Sequence, residues 1–365
     1  MFSANSIDSI PLDAILANWS IGNLPGRVIR PIGQGLSGGR VFFVEHGSER
    51  WSLKAWPVAT KRERLQTIHT LIREAATTFP SFALPIIGRD GQSILGCAGH
   101  FWELANWIDG EPLAEDADAD QISTAGQVIA RVHRALSRAT ETTPILAIGE
   151  RQSAVPVCVP RRMQRLQQLS LSLTPLFQSR PNLDAITRHL ASHQPFREDD
   201  CRLLAQALWT AIEALDREWP RRTPQLMERL CQHARNAQNL NSTWVLRDVH
   251  RDHILFDRAS GQVRGIIDFD AVGVDSIAVD VARLAGSFQS DEPDALKTVA
   301  AGYRSVRPLL EIELSLAETL MEANSAGGLA NWASWLMCEN RVFHADPSMI
   351  RERITHLIAS FCRIC

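Results

Sequence analysis

The sequence lacks the features that mark membrane proteins and nucleic-acid-binding proteins. None of its 365 residues lie in a run of roughly 18 consecutive apolar residues, and the first residues have neither a basic start nor a long apolar stretch. A large excess of charge of one sign is also missing, because 38 basic and 41 acidic residues give a formal net charge of −3. Such a balance attracts neither nucleic acid nor an anionic membrane. We therefore expect a cytoplasmic protein that binds neither.

A disulfide framework is absent as well. The seven cysteines are odd in number and irregularly spaced, which is typical of reduced thiols. Cys362 and Cys365 form a lone C-x-x-C at the end of an expected amphipathic helix, so an incidental pair is favoured over a redox or zinc site. Repeats and low-complexity tracts are missing too. With 45% hydrophobic and 22% charged residues, the composition suits a globular protein of one large domain or two lobes.

The expected elements divide the chain into a β-rich beginning and a helical remainder. A short helix at 12–18 is followed by the order β-β-β-α-β-β, with strands at 28–32, 41–45, 51–56, 83–87 and 100–104 and a helix at 60–77. Helices are predicted at 122–136, 161–169, 199–219, 224–236 and 349–361. Only 245–267 interrupts them, where two apolar stretches flank a hairpin-like loop at 257–261.

A glycine-rich turn precedes a charged residue in an apolar strand. Residues 33–39 match G-x-G-x-x-G, a weak motif by itself, but a strand follows it here, whereas a dinucleotide-binding fold requires a helix. A glycine-rich hairpin lets backbone amides approach phosphates closely. Lys54 lies 21 positions after Gly33, and a buried ammonium needs an anionic partner such as phosphate or a carboxylate. A strand-edge lysine covering apolar surface is the alternative.

The helix residue that partners Lys54 is open between Glu63, His69 and Glu74. Glu63 and Glu74 are eleven residues apart and project from one face, because eleven residues make almost three turns. His69 occupies the middle of the helix on its apolar side. We favour Glu74 on spacing.

The most informative passage holds two carboxylate-bearing turns 20 positions apart. Asp248 and His250 precede the apolar residues 254–256, and Asp268 and Asp270 follow the apolar residues 265–267. Phosphoryl transfer needs one carboxylate to orient the acceptor hydroxyl and take its proton, and another to hold magnesium on the phosphates. Packing alone poorly explains charged groups in apolar strand ends.

These motifs resemble the aminoglycoside phosphotransferase and choline kinase-like family, whose catalytic loop is H-G-D-x-x-x-x-N-I-L and whose metal motif is I-D-F. The resemblance extends to 107–113, 129–133 and 273–284, and so spans about 32–284, with 138–241 matching only as generic helices. It implies an α+β, protein-kinase-like two-lobed fold, with an N-lobe at 1–104 built on a small antiparallel sheet, a hinge at 105–110 and a larger, mainly helical C-lobe at 111–365.

The resemblance also implies the chemistry. The expected activity is transfer of the γ-phosphate of ATP to a hydroxyl of a small molecule, with Mg²⁺ or possible Mn²⁺. Asp248 would be the catalytic base, with His250 close to the transferred phosphate, and Asp280 would brace the loop. The metal ligands would be Asp268, His253 and Asp270. The nucleotide contacts would come from Gly33, Gly35, Ser37, Gly38, Lys54, Glu74, Asn106 and Trp107.

Two departures from the family pattern leave alternatives open. Leu246 and Arg247 replace the family's His-Gly, and His253 stands where the family has a metal-binding Asn, although imidazole is a poor ligand for Mg²⁺. The change at 246–247 is tolerable, but His253 and the open helix carboxylate motivate the first alternative, a catalytically weak or inactive, pseudokinase-like nucleotide-binding protein. The second takes residues 250–253, His-Arg-Asp-His, as a fragment of a zinc hydrolase signature. It leaves the glycine turn and Lys54 unexplained.

Overall fold

The computed structural model describes residues 11–19, 21, 24–34, 39–143, 155–288, 295–343 and 345–363. The strands are β1 (Val28–Gln34), β2 (Arg40–His46), β3 (Glu49–Ala55), β4 (Leu95–Cys97), β5 (His100–Asn106), β6 (Glu111–Pro112), β7 (Ser242–Val245), β8 (Ile254–Phe256), β9 (Val263–Ile266) and β10 (Gly273–Ser276). The helices are α1 (Leu12–Leu16), α2 (Arg62–Ala76), α3 (Ala119–Thr142), α4 (Cys158–Ser179), α5 (Leu183–His193), α6 (Glu198–Arg235), α7 (Ala278–Ala285), α8 (Ala295–Arg304), α9 (Glu311–Met337) and α10 (Pro347–Arg363). Short 3-10 turns lie at Ala237–Asn239 and Arg251–His253.

The chain forms two compact units, of which the first comprises residues 1–117, 128–151 and 248–272. Its main sheet is antiparallel with strand order β1-β2-β3-β5-β4. Alternation along β3 buries Trp51, Leu53 and Ala55 on one face, where they pack with α1 and with Trp102 and Leu104 of β5. The opposite face of β3 carries Ser52 and Lys54.

The predicted strand at 83–87 is not a strand in the structure. The segment runs beside β5, with Ile86 N–H donating to Leu104 O and Asn106 N–H donating to Leu84 O, but its pairing with β5 is the single bridge of Pro85 with Ala105. Phe82, just before the segment, forms a single bridge with Ile266 of β9. Proline has no N–H to donate and interrupts a ladder. The sheet edge is taken by β4, whose residues carried no strand pattern.

A second, smaller sheet in the same unit has the order β6-β8-β9. The predicted hairpin is confirmed: the carboxylate of Asp257 accepts from the backbone N–H groups of Ala259 and Ser260, and Gly261 adopts a φ of 66°. Asx chemistry and a left-handed glycine are what such a loop requires. The hairpin places residues 267–272 directly after β9.

The second unit comprises residues 118–127, 152–247 and 273–365, and it is mostly helical with one strand pair, β7 with β10. Where we predicted two helices, 199–219 and 224–236, the structure has the continuous helix α6, which contains Pro220 and Pro224. An interior proline costs about 3 kcal/mol. The buried residues on either side of the prolines, among them Leu215 and Leu226, pack on neighbouring helices and outweigh that cost.

Helices α5, α7, α8 and α9 were not individually predicted. Helix α9 buries side chains all around its circumference, so its sequence has no amphipathic period to detect. Among the described residues, no helix combines the length and the apolarity needed to cross a membrane. The described cysteines are unpaired thiols, and Cys365 lies outside the described residues. The bounds predicted for N-lobe, hinge and C-lobe stay predictions.

Candidate functional site

A cavity of about 550 Å³ lies within the first unit. Its apolar walls come from Ile32, Val41, Ile72, Ala83, Leu255 and Ile267, and its charged end from Lys54, Glu103, Asp268 and Asp270. Asn106 and Trp107, two of the predicted nucleotide contacts, also line it, and the Trp107 ring packs edge to face on Phe43 at 4.8 Å. An apolar slot with a few converging charges is typical of a small-molecule site.

Lys54 forms ion pairs with two of the predicted metal ligands. Its Nζ contacts Asp270 Oδ1, lies 3.8 Å from Asp268 Oδ1 and stands 4.3 Å from the centre of the Trp56 ring, with only 16% of the side chain exposed. Burial acts to lower the pKa of Lys54, but the charges of Asp270, Glu103 and Asp268 outweigh it and raise this pKa above its ordinary value. Lys54 is therefore an ammonium ion.

The turn after β9 holds Asp268 and Asp270 in a constrained backbone. Asp268 has a φ of 63°, a left-handed conformation that Asp tolerates better than most residues and that is common at functional sites. Arg64 of α2 fixes the turn by donating to the carbonyl oxygens of Asp270, at 3.2 Å, and of Val272. Nothing in the sequence pattern singled out Arg64 for this contact.

The two carboxylates have opposite pKa shifts. Burial, partly offset by Lys54 and reinforced by the charge of Asp268, raises the pKa of Asp270 to about 6. The pKa of Asp268 is lowered, because Lys54 and His253 outweigh its burial. At neutral pH both are carboxylates, and the Lys54 ammonium is shared between them.

Asp248, His250 and His253 form a row of contacts that ends at Asp268. His250 Nε2 lies 3.2 Å from Asp248 Oδ1, the rings of His250 and His253 meet edge to face at 5.4 Å, and His253 Nε2 lies 3.8 Å from Asp268 Oδ2. Folding thus brings together residues from the two predicted turns. The side chain of Asp248 is 48% exposed.

The residues just before Asp248 are held within the second unit. The Asp280 carboxylate accepts from the backbone N–H groups of Leu246 and Arg247, both at 2.7 Å. Arg247 adopts a φ of 65°, and its guanidinium donates to Val274 O at 2.5 Å. A side chain at Gly273 would collide with this guanidinium, since its Cβ would lie 2.2 Å from Arg247 Nη1. Arginine is thus accommodated where the family has glycine.

The glycine-rich turn is only partly described. Gly33, in β1, pairs with Val41 of β2. Gly35, Ser37 and Gly38 lie outside the described residues.

The helix α2 places none of its carboxylates on Lys54. Glu63 is exposed and Glu74 is half-buried, and neither is among the hydrogen-bond or ion-pair partners of Lys54 in the described part of the chain. The third residue of that set, His69, is buried and contacts Glu103 of β5. Glu103 was missed by sequence reasoning, although it is, like Lys54, a charged residue in an apolar strand pattern.

The donor set suits a divalent cation held jointly with a ligand. Among the described residues, no three His, Cys, Asp or Glu side chains are arranged to hold a metal ion by themselves. Mg²⁺ at phosphate sites is bound by one or two carboxylates together with phosphate oxygens, which is what Asp268 and Asp270 offer. The buried Nδ1 of His253 has no hydrogen-bond partner in the described structure, and burial lowers the pKa of this imidazole, so it is neutral. A neutral imidazole suits Mn²⁺ better than Mg²⁺.

Solved structures share this fold. A spectinomycin phosphotransferase crystallised with ADP and spectinomycin is 11% identical, with 92% of each chain covered and a TM-score of 0.58. An amicoumacin kinase in complex with AMP-PNP, Ca²⁺ and Ami is 13% identical, with 97% of this chain and 96% of the other covered and a TM-score of 0.58. An ethanolamine kinase from Plasmodium vivax is 10% identical, with 98% and 92% covered and a TM-score of 0.54.

These likenesses confirm the predicted fold class, a protein-kinase-like α+β fold with a small antiparallel N-lobe sheet and a mainly helical C-lobe. No curated protein matches the chain in sequence. Residues 28–311 match the phosphotransferase enzyme family, which exceeds the span of 32–284 expected from the motifs. The predicted resemblance is thereby confirmed. The chain belongs to the phosphotransferase enzyme family.

Proposed function

We propose that this protein transfers the γ-phosphate of ATP to a hydroxyl group of a small molecule. The observation that supports this most directly is the continuous row of contacts from Asp248 through His250 and His253 to Asp268 and Lys54. It joins a candidate base to candidate phosphate-binding groups beside a cavity. Phosphoryl transfer depends mainly on such positioning and on charge neutralisation.

Asp248 takes the role of the catalytic base. Its exposed carboxylate can accept the proton of an acceptor hydroxyl, while His250 at 3.2 Å keeps the carboxylate oriented. Asp280 supports the loop from behind through the amides of Leu246 and Arg247. Each of these contacts restricts the direction in which Asp248 points, as in-line transfer requires.

Lys54 and the cavity take the nucleotide. The ammonium of Lys54 binds phosphate oxygens, and the apolar walls with Asn106 and Trp107 receive the base. Gly33 begins the glycine-rich motif, which we assign to the nucleotide phosphates because such motifs bind phosphate through backbone N–H groups. Asp268 and Asp270 would hold Mg²⁺, or Mn²⁺ with His253 alongside, and the ion would neutralise charge on the phosphates.

The acceptor belongs to the class of small alcohols. Solved structures of this fold carry names that include spectinomycin, amicoumacin and ethanolamine, which are three different compounds. A screen should therefore span amino alcohols, sugars and aminoglycosides, with labelled ATP and either Mg²⁺ or Mn²⁺. Asp248→Asn is the blank, since it keeps the shape of the side chain and removes the base.

The proposal expects metal-dependent transfer to at least one alcohol that is lost in Asp248→Asn. Equal transfer by the wild type and the variant would overturn it. A second candidate, a nucleotide-binding protein with little or no catalysis, is favoured by one observation: a neutral His253 beside Asp268. Tight ATP binding without turnover in both metals would favour that candidate.

A further inference from the structure

The helix α2 leaves Lys54 without a helical carboxylate. Into the cavity that Lys54 lines, α2 presents His69, a residue that is only 2% exposed. A histidine cannot supply the negative charge that an ammonium ion needs, because its imidazole is either neutral or positive. The negative group must therefore come from another element.

That group is Glu103 on the neighbouring strand. Lys54 of β3 and Glu103 of β5 are directly opposite each other in the antiparallel register, so their side chains leave the sheet on the same face and line the same cavity. The side chain of Glu103 is 14% exposed. An ionised carboxylate buried to this extent is costly unless it is paired and hydrogen-bonded.

His69 holds Glu103 in place. The Nε2 of His69 lies 2.6 Å from Glu103 Oε2, and its Nδ1 lies 2.8 Å from Ser93 Oγ. An ionised carboxylate only accepts, so Nε2 carries the proton and donates it to Glu103. With both ring nitrogens engaged, the imidazole cannot rotate. Ser93 and His69 thus fix the position of one carboxylate oxygen of Glu103, as supporting hydrogen bonds fix metal-binding histidines.

The charge state agrees with this arrangement. Burial acts to raise the pKa of Glu103, but the hydrogen bond from His69 and the charge of Lys54 outweigh it, so this pKa lies below its ordinary value. In the present structure the ion pairs of Lys54 are with Asp270 and Asp268, and Glu103 acts on it as a nearby negative charge. The charge of Lys54 is therefore balanced by Asp268 and Asp270 after β9 and by Glu103 of β5.

We propose that Glu103, held by His69, is the positioning residue of Lys54 and replaces the helix carboxylate of related kinases. When Asp268 and Asp270 are engaged elsewhere, Glu103 keeps the Lys54 ammonium inside the cavity and aimed at the nucleotide phosphates. This inference rests on the proposed function in one respect, namely that Lys54 binds a nucleotide. The sequence predicted Glu74 for this role, so the two carboxylates are direct rivals.

The test is a double-mutant cycle on the affinity for ADP with Mg²⁺, measured by isothermal titration calorimetry on the full chain. The variants are Glu103→Gln, Lys54→Met and the two combined, with Glu74→Gln as the rival. Glu49→Gln is the matched control, because Glu49 is an exposed carboxylate on β3 of the same sheet. Melting temperatures show whether each variant folds.

We expect Glu103→Gln to weaken ADP binding by about tenfold or more, in the range seen when supporting groups of a site are removed. In the Lys54→Met background the same change should have almost no effect, because Glu103 acts through Lys54. A purely structural role of Glu103 would weaken binding equally in both backgrounds. If Glu103→Gln fails to fold, Glu103→Asp and His69→Gln complete the cycle, with intermediate losses that again vanish without Lys54.

An equal effect in both backgrounds, or coupling of Lys54 to Glu74 instead, would overturn the assignment. This binding experiment and the transfer assay test different claims, so a failure of one can be distinguished from a failure of the other. Coupling in ADP binding without phosphorylation of any alcohol would leave the assignment standing and remove the proposed transfer. Transfer by the wild type without coupling between Lys54 and Glu103 would remove the assignment alone, and a wild type that binds no ADP would remove both.

Discussion

His253 places its imidazole Nε2 3.8 Å from a carboxylate oxygen of Asp268. The family pattern has asparagine at this position, whose carbonyl oxygen is a better ligand for Mg²⁺ than imidazole is. Burial lowers the pKa of His253, so the ring stays neutral and can act as a nitrogen ligand. We therefore expect this pair of residues to determine the preference of the proposed metal site for Mg²⁺ or Mn²⁺.

Replacing His253 by asparagine should shift the metal preference. We expect His253→Asn to raise turnover with Mg²⁺ relative to turnover with Mn²⁺ by roughly tenfold. This is the size of effect on activity that follows when groups around a bound metal are mutated. The ratio of kcat values in the two metals measures this directly. An unchanged ratio would mean that His253 does not approach the ion.

Removing the ammonium of Lys54 should strongly impair transfer but not folding. Lys54→Met keeps a long apolar side chain at this position and deletes the ammonium that lies over the Trp56 ring and faces Asp268 and Asp270. We expect kcat/KM for ATP to fall by about 100- to 1,000-fold, as when one charge-stabilising donor is removed from an active site. Steady-state kinetics and thermal melting together test this, and a loss of only twofold would contradict the role of Lys54.

Asp270 should make the metal-free protein less stable as the pH rises. Its pKa is raised from 3.8 to about 6, so the folded state holds the proton more tightly than the unfolded chain does. The contribution of this group to stability is therefore greatest below pH 4 and is lost as the pH rises through 6. Asp270→Asn cannot lose a proton and should avoid this decline.

The measurement is the free energy of unfolding in the presence of a chelator between pH 4 and 7. The advantage of Asp270→Asn over the wild type should grow with pH by on the order of 1 to 3 kcal/mol, since one pKa unit corresponds to about 1.4 kcal/mol. Asp184→Asn, at an exposed residue of α5, is the control and should follow the wild type. A difference that shrinks as the pH rises would show the opposite sign of the shift.

Asp280 should support both stability and turnover. Its fully buried carboxylate accepts two backbone hydrogen bonds, and Asp280→Asn would turn an NH₂ group toward one of those N–H donors. We expect a loss of about 1 to 3 kcal/mol in unfolding free energy. Turnover should also fall, with the KM for ATP little changed, because the loop that carries Asp248 loosens. Asp199→Asn, at an exposed residue in the first turn of α6, should change neither quantity.

Sequence patterns predicted the strands β1, β2, β3 and β5, the helix α2 and the hairpin β8–β9, since each depends on local alternation, periodicity or turn chemistry. These patterns failed where tertiary contacts, rather than the local sequence, determine the secondary structure. Residues 83–87 look like a strand, but Pro85 interrupts the ladder. Helix α6 continues through two prolines because its buried face continues. Helix α9 is buried all around, so its sequence has no period.

The sequence by itself determined the family and the candidate residues: a lysine in an apolar strand, two carboxylate-bearing turns 20 residues apart, and motifs that match the phosphotransferase enzyme family. Only the tertiary structure decided how they are paired. Lys54 meets Asp270 across 216 residues, Glu103 reaches His69 across 34, and Arg64 holds the carbonyl of Val272 across 208. Such contacts depend on strand register and on the packing of α2 over the sheet, which arise from burial summed over the whole unit and leave no mark on the local pattern of either partner.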